Sequence, residues 1–371
     1  MQARVVLGTA LLVLLSSLTA CSEEKAELSA GDIVRARQDD QFESGRRTTI
    51  TMPVGRLLVW TEDPVESAGA DETRTRQTVD APAGAVLVPI TWQYDPWASN
   101  RLDGIVDTSD TPRINLVTET ESYRVPPPER DAEGNAESFY VVADGDAEER
   151  TLEIEFDGVT QTLDLASGER DEGIAAALYD IEDDQLKKTS CTDEKWFDPR
   201  YVSADFTCNT VGPVITPYAA GEWAPEGSVW LAVTLTTRMG VYAETDLLGS
   251  GARYFSRGVK VTAEIDREKA DYTLVSQSDL NQCPVPGTNT CAESTTYVFE
   301  VPEEDPEQGP FVVELTYKQV EQVSYGQWDE PRKRKVVGKE KLYLWKDPKD
   351  KKRKKNRDDE SEETSEELTE E

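Results

Sequence analysis

The chain has 371 residues, with 40 Lys or Arg, 73 Asp or Glu and no histidine, so its net charge is −33 at pH 7. Without histidine, Ser-His-Asp and Cys-His nucleophiles, histidine-ligated zinc and an imidazole general base are excluded. The acidity opposes nonspecific binding of nucleic acid, so we expect no nucleic-acid partner. With 37% hydrophobic residues the chain can still bury a core, and its length fits two domains.

The N-terminus has the pattern of an export signal. Residues 1–4 carry one positive charge and precede a 14-residue apolar run at 5–18, which is shorter than the roughly 20 residues of a membrane-spanning helix. Residues 18–21 read LTAC and resemble the lipobox of bacterial lipoproteins. The resemblance implies cleavage after residue 20 and acyl chains such as palmitate on Cys21. The alternative is an ordinary cleaved signal, or an uncleaved anchor, in which the cysteine is incidental.

The other four cysteines agree with export. Cys191, Cys208, Cys283 and Cys291 are an even number, which in an oxidising compartment predicts two disulfides. Three pairings are possible, and Cys191–Cys208 with Cys283–Cys291 is favoured because short loops close first. A four-thiolate metal site is the alternative. No spacing is C-x-x-C, however, so we expect neither a metal nor a cofactor.

Composition divides the rest of the chain. Residues 21–44 are polar and predict a tether between the lipid and the folded part. Residues 45–167 predict a β-domain, with strands expected at 56–61, 85–93, 139–142 and 151–165. Asp157-Gly158 interrupts the last of these, and such a pair between alternating runs predicts a two-residue hairpin turn.

A break follows at residues 168–190. Ile174, Leu178 and Ile181 recur at i, i+4 and i+7, and acidic residues precede Lys187-Lys188, so the pattern predicts a helix connecting two domains. Residues 191–346 predict a second β-domain, with strands at 201–208, 214–218, 228–237, 259–265, 296–301, 311–319 and 335–345. Apolar residues become rare after Trp345, so residues 347–371 predict a disordered charged tail.

The two β-domains share a similar segment. Residues 81–92 read APAGAVLVPITW and residues 224–235 read APEGSVWLAVTL, with five of twelve positions identical. Tyr140-Val141 and Tyr297-Val298 each open a later strand, although chance similarity between β-strands is the alternative. An A-P-x-G turn leading into a long apolar strand resembles the immunoglobulin-like domains of small bacterial envelope lipoproteins. The resemblance implies an all-β protein with two immunoglobulin-like β-sandwiches that bind rather than catalyse.

The end of the chain reverses its charge. Residues 332–357 hold 14 basic and three acidic residues, whereas residues 358–371 hold nine acidic residues and no basic one. The KKRKK block at 351–355 is a candidate for binding anionic lipid headgroups or an anionic wall polymer. Pairing with acidic parts of the same chain is the favoured interpretation, because most charge runs are simply solvated.

Two further features are candidate ligand sites. The acidic turns at 144–146 (DGD) and 303–305 (EED) could offer oxygen ligands to calcium, but neither has EF-hand spacing, so solvated turns are favoured. In the aromatic cluster at 92–97, Trp92 and Tyr94 share a strand face with apolar residues and are expected in the core. Trp97 is left as a candidate contact for sugar rings.

No set of catalytic residues assembles, since the chain has no G-x-S-x-G, no phosphate loop and no S-x-x-K context. We therefore predict a non-enzymatic, extracytoplasmic interaction module. Its lipid anchor would hold it on the outer face of the cell membrane or on an outer membrane, and its partner would be another envelope protein. A ligand- or calcium-binding lipoprotein is the alternative, and a glycosidase with a carboxylate pair is the least favoured interpretation.

Overall fold

The computed structural model describes residues 27–96, 98, 102, 104–106, 110–129, 135–181, 188–191, 202–276, 281–307 and 309–345. Nearly all regular structure in these residues is β-strand, which confirms the predicted all-β class. No helix in the described part of the chain is long and apolar enough to span a membrane.

The first folded unit contains two five-stranded antiparallel sheets. Its strands are β1 (Ile33–Arg35), β2 (Arg46–Met52), β3 (Gly55–Thr61), β4 (Ser67–Ala68), β5 (Val79–Asp80), β6 (Ala85–Tyr94), β7 (Arg113–Thr118), β8 (Ser122–Val125), β9 (Glu137–Asp144), β10 (Arg150–Phe156), β11 (Val159–Asp164) and β12 (Arg170–Asp171). One sheet has the order β1-β9-β6-β3-β2 and the other the order β12-β11-β10-β7-β8. A short β4–β5 ladder lies outside them.

Alternating side chains of the two sheets form one core. On β10, Leu152 and Ile154 are buried against residues of the opposite sheet such as Val88, Ile90 and Trp92. This alternation places every second side chain in the core. The predicted hairpin turn is present, because Asp157 and Gly158 both have positive φ, +46° and +79°.

The predicted polar tether at 21–44 is too long. Strand β1 pairs with β9, and Ala36 and Phe42 are buried. The ring of Phe42 packs edge-on against Tyr140, 5.0 Å between centroids. Strand pairing and two buried side chains therefore hold this segment on the first unit.

The predicted helical connector at 168–190 is also wrong in its extent. The described residues of this range contain β12, a 3-10 helix at Gly173–Leu178 and a short strand at Lys188–Ser190, and in the 3-10 helix Ala175 and Leu178 are buried at a spacing of three. Ile174, expected on the buried face, is 57% exposed. The Tyr179 hydroxyl donates to Gln161 Oε1 at 2.6 Å and accepts from the backbone N–H of Thr51 at 3.0 Å, so the segment packs on the first unit.

The second unit is built from longer strands. They are β13 (Lys188–Ser190), β14 (Val202–Thr216), β15 (Tyr218–Ala219), β16 (Glu222–Trp223), β17 (Ser228–Thr245), β18 (Gly251–Ile265), β19 (Glu268–Lys269), β20 (Tyr272–Val275), β21 (Cys291–Pro302), β22 (Phe311–Tyr325) and β23 (Lys333–Leu342). Except for the β15–β16 ladder, they belong to one antiparallel sheet.

Strand β17 divides this sheet into two layers. One edge of β17 pairs with β14, and the other pairs with β21 up to Met239 and with β18 from Val241 onwards. The order β14-β17-β21-β20 forms one layer, and β19-β18-β22-β23 forms the other. Leu231 and Val233 of the first layer share a core with Val313 and Leu315 of the second.

The similar segments of the two units adopt the same local structure. The N–H groups of Ala85 and Ser228 donate to the carbonyl groups of Pro82 and Pro225, each at 2.9 Å. The strands that follow, β6 and β17, each lie between an earlier and a later strand of their unit, β3 and β9 in the first and β14 and β21 in the second. The resemblance seen in sequence therefore reflects a common structural arrangement.

The later tyrosines do not align as the sequence comparison has them. Pro89 and Ala232 occupy the same position in the two similar segments. Pro89 pairs with Tyr140, whereas Ala232 pairs with Val298 and not with Tyr297. The Tyr-Val pairs are therefore displaced by one residue, which exchanges the two faces of the strand.

Aromatic side chains join the two units. Tyr218 lies between Phe156 of the first unit and Trp223 of the second, with centroids 5.4 and 5.0 Å away. Its hydroxyl donates to Asp157 at 3.1 Å, and Trp223 Nε1 donates to the carbonyl of Phe156 at 3.3 Å. The units therefore share a small core of their own.

Candidate interaction surface

Three of the predicted features lie outside the described residues: Cys21, Trp97 and the tail from 347 to 371. Of the aromatic cluster, Trp92 and Tyr94 are described and are buried, 1% and 7% exposed. Their predicted place in the core is confirmed.

The four described cysteines form two disulfides, Cys191–Cys208 and Cys283–Cys291. Cys208 pairs in register with Thr237 of β17, and Cys291 pairs with Met239 on the opposite edge of the same strand. Both bonds therefore lie close to the point where β17 changes partner. Two disulfides indicate an oxidising, extracytoplasmic environment.

The two acidic turns occupy equivalent places in the two units. The N–H groups of Gly145 and Glu303 donate to the carbonyl groups of Gly84 and Gly227, at 2.8 and 3.0 Å. Asp146 Oδ1 accepts from the N–H of Glu148 at 3.2 Å, a contact within the turn. Over the described ranges no cluster of three or more acidic or cysteine side chains could hold a metal ion.

A small pocket lies beside Trp92. It is lined by Trp92 and Phe139, by Arg35 and Arg74, and by Glu137 among others. The buried Nε1 of Trp92 has no hydrogen-bond partner among the described residues. Asp39 also lines the pocket and pairs with Arg74, so the charges of the lining are balanced.

The hairpin between β17 and β18 presents two leucines to solvent. Leu247 is 83% exposed and Leu248 is 91% exposed. The turn is well braced, since Asp246 Oδ1 accepts from the N–H groups of Leu248 and Ser250, both at 2.8 Å. The leucines are therefore displayed by an ordered turn.

More apolar side chains lie close to this turn on one side of the sheet. Val241, Val323 and Tyr325 are 36%, 48% and 41% exposed. We call these three residues and the two leucines the apolar end. The turn also contacts the loop that joins β22 to β23, because the N–H of Gln327 donates to Ser250 Oγ at 3.1 Å.

An aromatic cluster packs on the opposite side of the sheet formed by β17, β18, β22 and β23. Trp328 Nε1 donates to the Tyr254 hydroxyl at 3.0 Å, and the Arg334 guanidinium lies 5.5 Å from the Tyr254 ring centroid. Arg334 also pairs with Glu244 and with Glu330. Burial raises the pKa of Tyr254, and the hydrogen bond from Trp328 opposes this rise.

A lysine-rich face continues from the apolar end along the outer surface of β18, β22 and β23. Side chains on this side alternate with core residues such as Leu315 and Tyr317. Six exposed lysine side chains lie on this side, and we call them the lysine face: Lys260, Lys318, Lys333, Lys335, Lys339 and Lys341. Lys318 pairs directly with Lys335 in register.

Few acids balance the lysine face. Glu264 and Glu314 project on the same side, and Lys339 lies 3.9 Å from Glu314. Within the described part of the chain, no carboxylate forms an ion pair with Lys260, Lys318, Lys333 or Lys335. Residues 21–331 of the chain contain only seven lysines, so this concentration contrasts with the rest of the molecule.

Sequence reasoning missed both surfaces. The alternation of Lys333, Lys335, Lys339 and Lys341 along a strand is readable in the sequence, but these residues also belong to a longer basic run that conceals it. Lys260 and Lys318 join them only through strand pairing. Leu247 and Leu248 lie between two predicted strands, and an apolar pair in a turn does not by itself predict an interaction surface.

No protein-family model matches the chain, and no curated protein is significantly similar to it in sequence.

Proposed function

We propose that this protein is a lipid-anchored extracytoplasmic binding module with two immunoglobulin-like domains, and that its second domain docks another envelope protein through the apolar end. The observation that carries the proposal is the exposure of Leu247 and Leu248 on a turn that Asp246 fixes by hydrogen bonds. Exposed apolar patches on soluble surfaces are typical of interaction sites.

Strand order supports the immunoglobulin-like assignment. In that fold strands A, B, E and D form one sheet and C, F and G form the other. The order β14-β17-β21-β20 corresponds to A-B-E-D, and β18-β22-β23 corresponds to C-F-G. In the first unit β3-β6-β9 corresponds to A-B-E, and β7-β10-β11 to C-F-G.

This correspondence gives the apolar end a functional position. The leucine turn is the B–C loop, and the segment at 326–332 is the F–G loop. In variable domains these two loops lie at one end of the sandwich and contact the ligand. The contact between Ser250 and Gln327 joins the same two loops here.

The disulfides and the lipobox resemblance support the extracytoplasmic setting. Acylation at Cys21 would confine the module to a membrane surface, where its effective concentration toward another envelope protein is high. A weak apolar contact then suffices for stable association.

The proposal is tested by in-cell crosslinking of the full chain, followed by identification of the crosslinked protein. A double variant, Leu247→Ser with Leu248→Ser, should lose the crosslink. A matched control, Ile174→Ser with Val275→Ser, removes two apolar side chains that are 57% and 61% exposed elsewhere and should retain it. A crosslink that survives loss of both leucines would overturn the docking site.

A small-ligand role is the second candidate, and the pocket beside Trp92 favours it, because the indole Nε1 has no hydrogen-bond partner among the described residues. A titration of mono- and disaccharides followed by melting temperature tests it. A rise that disappears in Trp92→Phe would support this role, and no rise with any sugar would count against it.

A further inference from the structure

We propose that the lysine face binds an anionic lipid surface, so that the second unit lies with the outer side of β18, β22 and β23 against the membrane. Lipid binding by the lysine face is a separate interaction from the docking of a protein through the apolar end. It requires neither that protein partner nor the acyl group.

The lysine face has the shape and the charge that such a surface requires. Lysines recur at alternate positions of β23, about 7 Å apart along the strand, and reach across two neighbouring strands about 5 Å apart. Lys333 to Lys341 therefore covers roughly 27 Å of one nearly flat surface. A surface of this kind meets many headgroups at once.

Protection of a sheet edge does not account for the whole face. β23 is an edge strand of its layer, and edge lysines are a common device against unwanted strand pairing. Lys318, however, lies on β22, which is paired on both sides, by β18 and by β23. Placing it opposite Lys335 costs stability without protecting an edge.

The type of cation also fits a lipid surface. Arginine outnumbers lysine in residues 21–331, and the outer side of β18 carries the exposed Arg253 and Arg257, yet the cations that β22 and β23 place on this face are all lysines. Arginine provides rigid bidentate recognition of one group, whereas lysine is a flexible point charge. Flexible point charges suit a layer of mobile phosphates rather than one fixed acidic partner.

Apolar side chains on the same side complete the pattern. Val337, in the middle of the lysines, is 53% exposed, and Tyr343 is 37% exposed with Lys341 Nζ 5.6 Å from its ring centroid. Aromatic and aliphatic groups mixed with lysine are typical of surfaces that enter the headgroup region. The strongly acidic remainder of the chain is repelled by anionic lipid, so it would orient this one face toward the bilayer.

The test is co-sedimentation of the chain from Ser22 onwards, which contains every described residue and has no acyl group. Vesicles of phosphatidylcholine with phosphatidylglycerol are compared with vesicles of phosphatidylcholine alone, at low and at high salt. We expect binding to the anionic vesicles only, lost at high salt. The variant Lys318→Gln with Lys335→Gln should weaken binding about 30-fold.

The matched control is Lys188→Gln with Arg124→Gln, which removes two exposed charges away from the lysine face and should bind as the unchanged protein does. The same experiment on a chain ending at Trp345 asks whether the basic tail is responsible. Three results would overturn the proposal: no binding to anionic vesicles at low salt, equal loss in the control, or binding that depends on the tail and not on Lys318 and Lys335. None of these bears on crosslinking through Leu247 and Leu248, so the two proposals can fail separately.

Discussion

Lys318 of β22 and Lys335 of β23 lie directly opposite each other in register, and both side chains are exposed. Like charges at directly opposed positions of a β-ladder are destabilising. Four residues further along the same ladder, and on the same face, the charges are opposite, because Lys339 lies opposite Glu314. The pair at 318 and 335 therefore carries a local cost that an anionic ligand would remove.

We expect Lys335→Glu to stabilise the second unit by about 0.5–1 kcal/mol, because it converts a like-charge pair into an opposite-charge pair. Urea unfolding of the purified chain measures this change. Lys188→Glu, an exposed lysine of β13, controls for the change in net charge. A loss of stability specific to Lys335→Glu would contradict the interpretation.

Much of the fold could be predicted because strand patterns are local. The hairpin turn at Asp157-Gly158 and the burial of Trp92 follow from residue type and strand phase alone. The length of β17 could not be predicted, since it depends on β17 exchanging β21 for β18 as its neighbour after Met239. The pairing of Lys318 with Lys335 likewise needs the register of two strands.

The wrong predictions share a physical cause. Ile174, Leu178 and Ile181 fit a helical period, yet tertiary contacts of Tyr179 with Thr51 and Gln161 fix the chain in a shorter 3-10 turn. Phe42 was counted within a polar tether because one aromatic residue hardly alters composition. In both segments a few contacts to the first unit override the local pattern.

The equivalence of the two units can be tested at Gly84 and Gly227. Both have positive φ, +84° and +79°, and a Cβ on either would meet no atom within 4 Å. Replacing each by Ala should therefore cost the backbone strain alone, about 1–2 kcal/mol, and nearly the same amount at both sites. Thermal unfolding of Gly84→Ala and Gly227→Ala measures it. Clearly unequal costs would argue against equivalent turns.

Tyr218, which is fully buried, makes one of the contacts between the units, and Ile105 of the first unit makes another by packing against Trp230 of the second. We expect Tyr218→Ala to cost about 3–5 kcal/mol and to separate the unfolding of the two units into two transitions. Tyr218→Phe removes the hydroxyl that donates to Asp157 and should cost about 1 kcal/mol. Calorimetry resolves the transitions. One unchanged cooperative transition in Tyr218→Ala would show that the units are coupled elsewhere.

The disulfide Cys191–Cys208 closes a loop with a sequence separation of 17. A loop of this size contributes about 3 kcal/mol in the chain-entropy model. We expect the double variant Cys191→Ala with Cys208→Ala to lower the free energy of unfolding of the chain by about that amount, because the two units share buried contacts and unfold together. Denaturant unfolding followed by near-ultraviolet circular dichroism measures the change. A variant as stable as the unchanged protein would contradict this contribution.

Glu293 gives the protein a specific pH dependence. Burial raises the pKa of its carboxyl above the ordinary 4.5, although a hydrogen bond from the Thr295 hydroxyl at 3.3 Å partly opposes this. Because the folded-state pKa lies above the unfolded value, the contribution to stability is fully present below about pH 4.5 and is lost as the pH rises through the folded-state pKa.

Glu293→Gln keeps a neutral side chain at every pH. It should therefore be more stable than the unchanged protein at pH 7 and about equal to it near pH 4, as measured by urea unfolding at both. The exposed Glu303→Gln is the control, and a gain at pH 7 that persists undiminished at pH 4 would show that burial of the charge is not its cause.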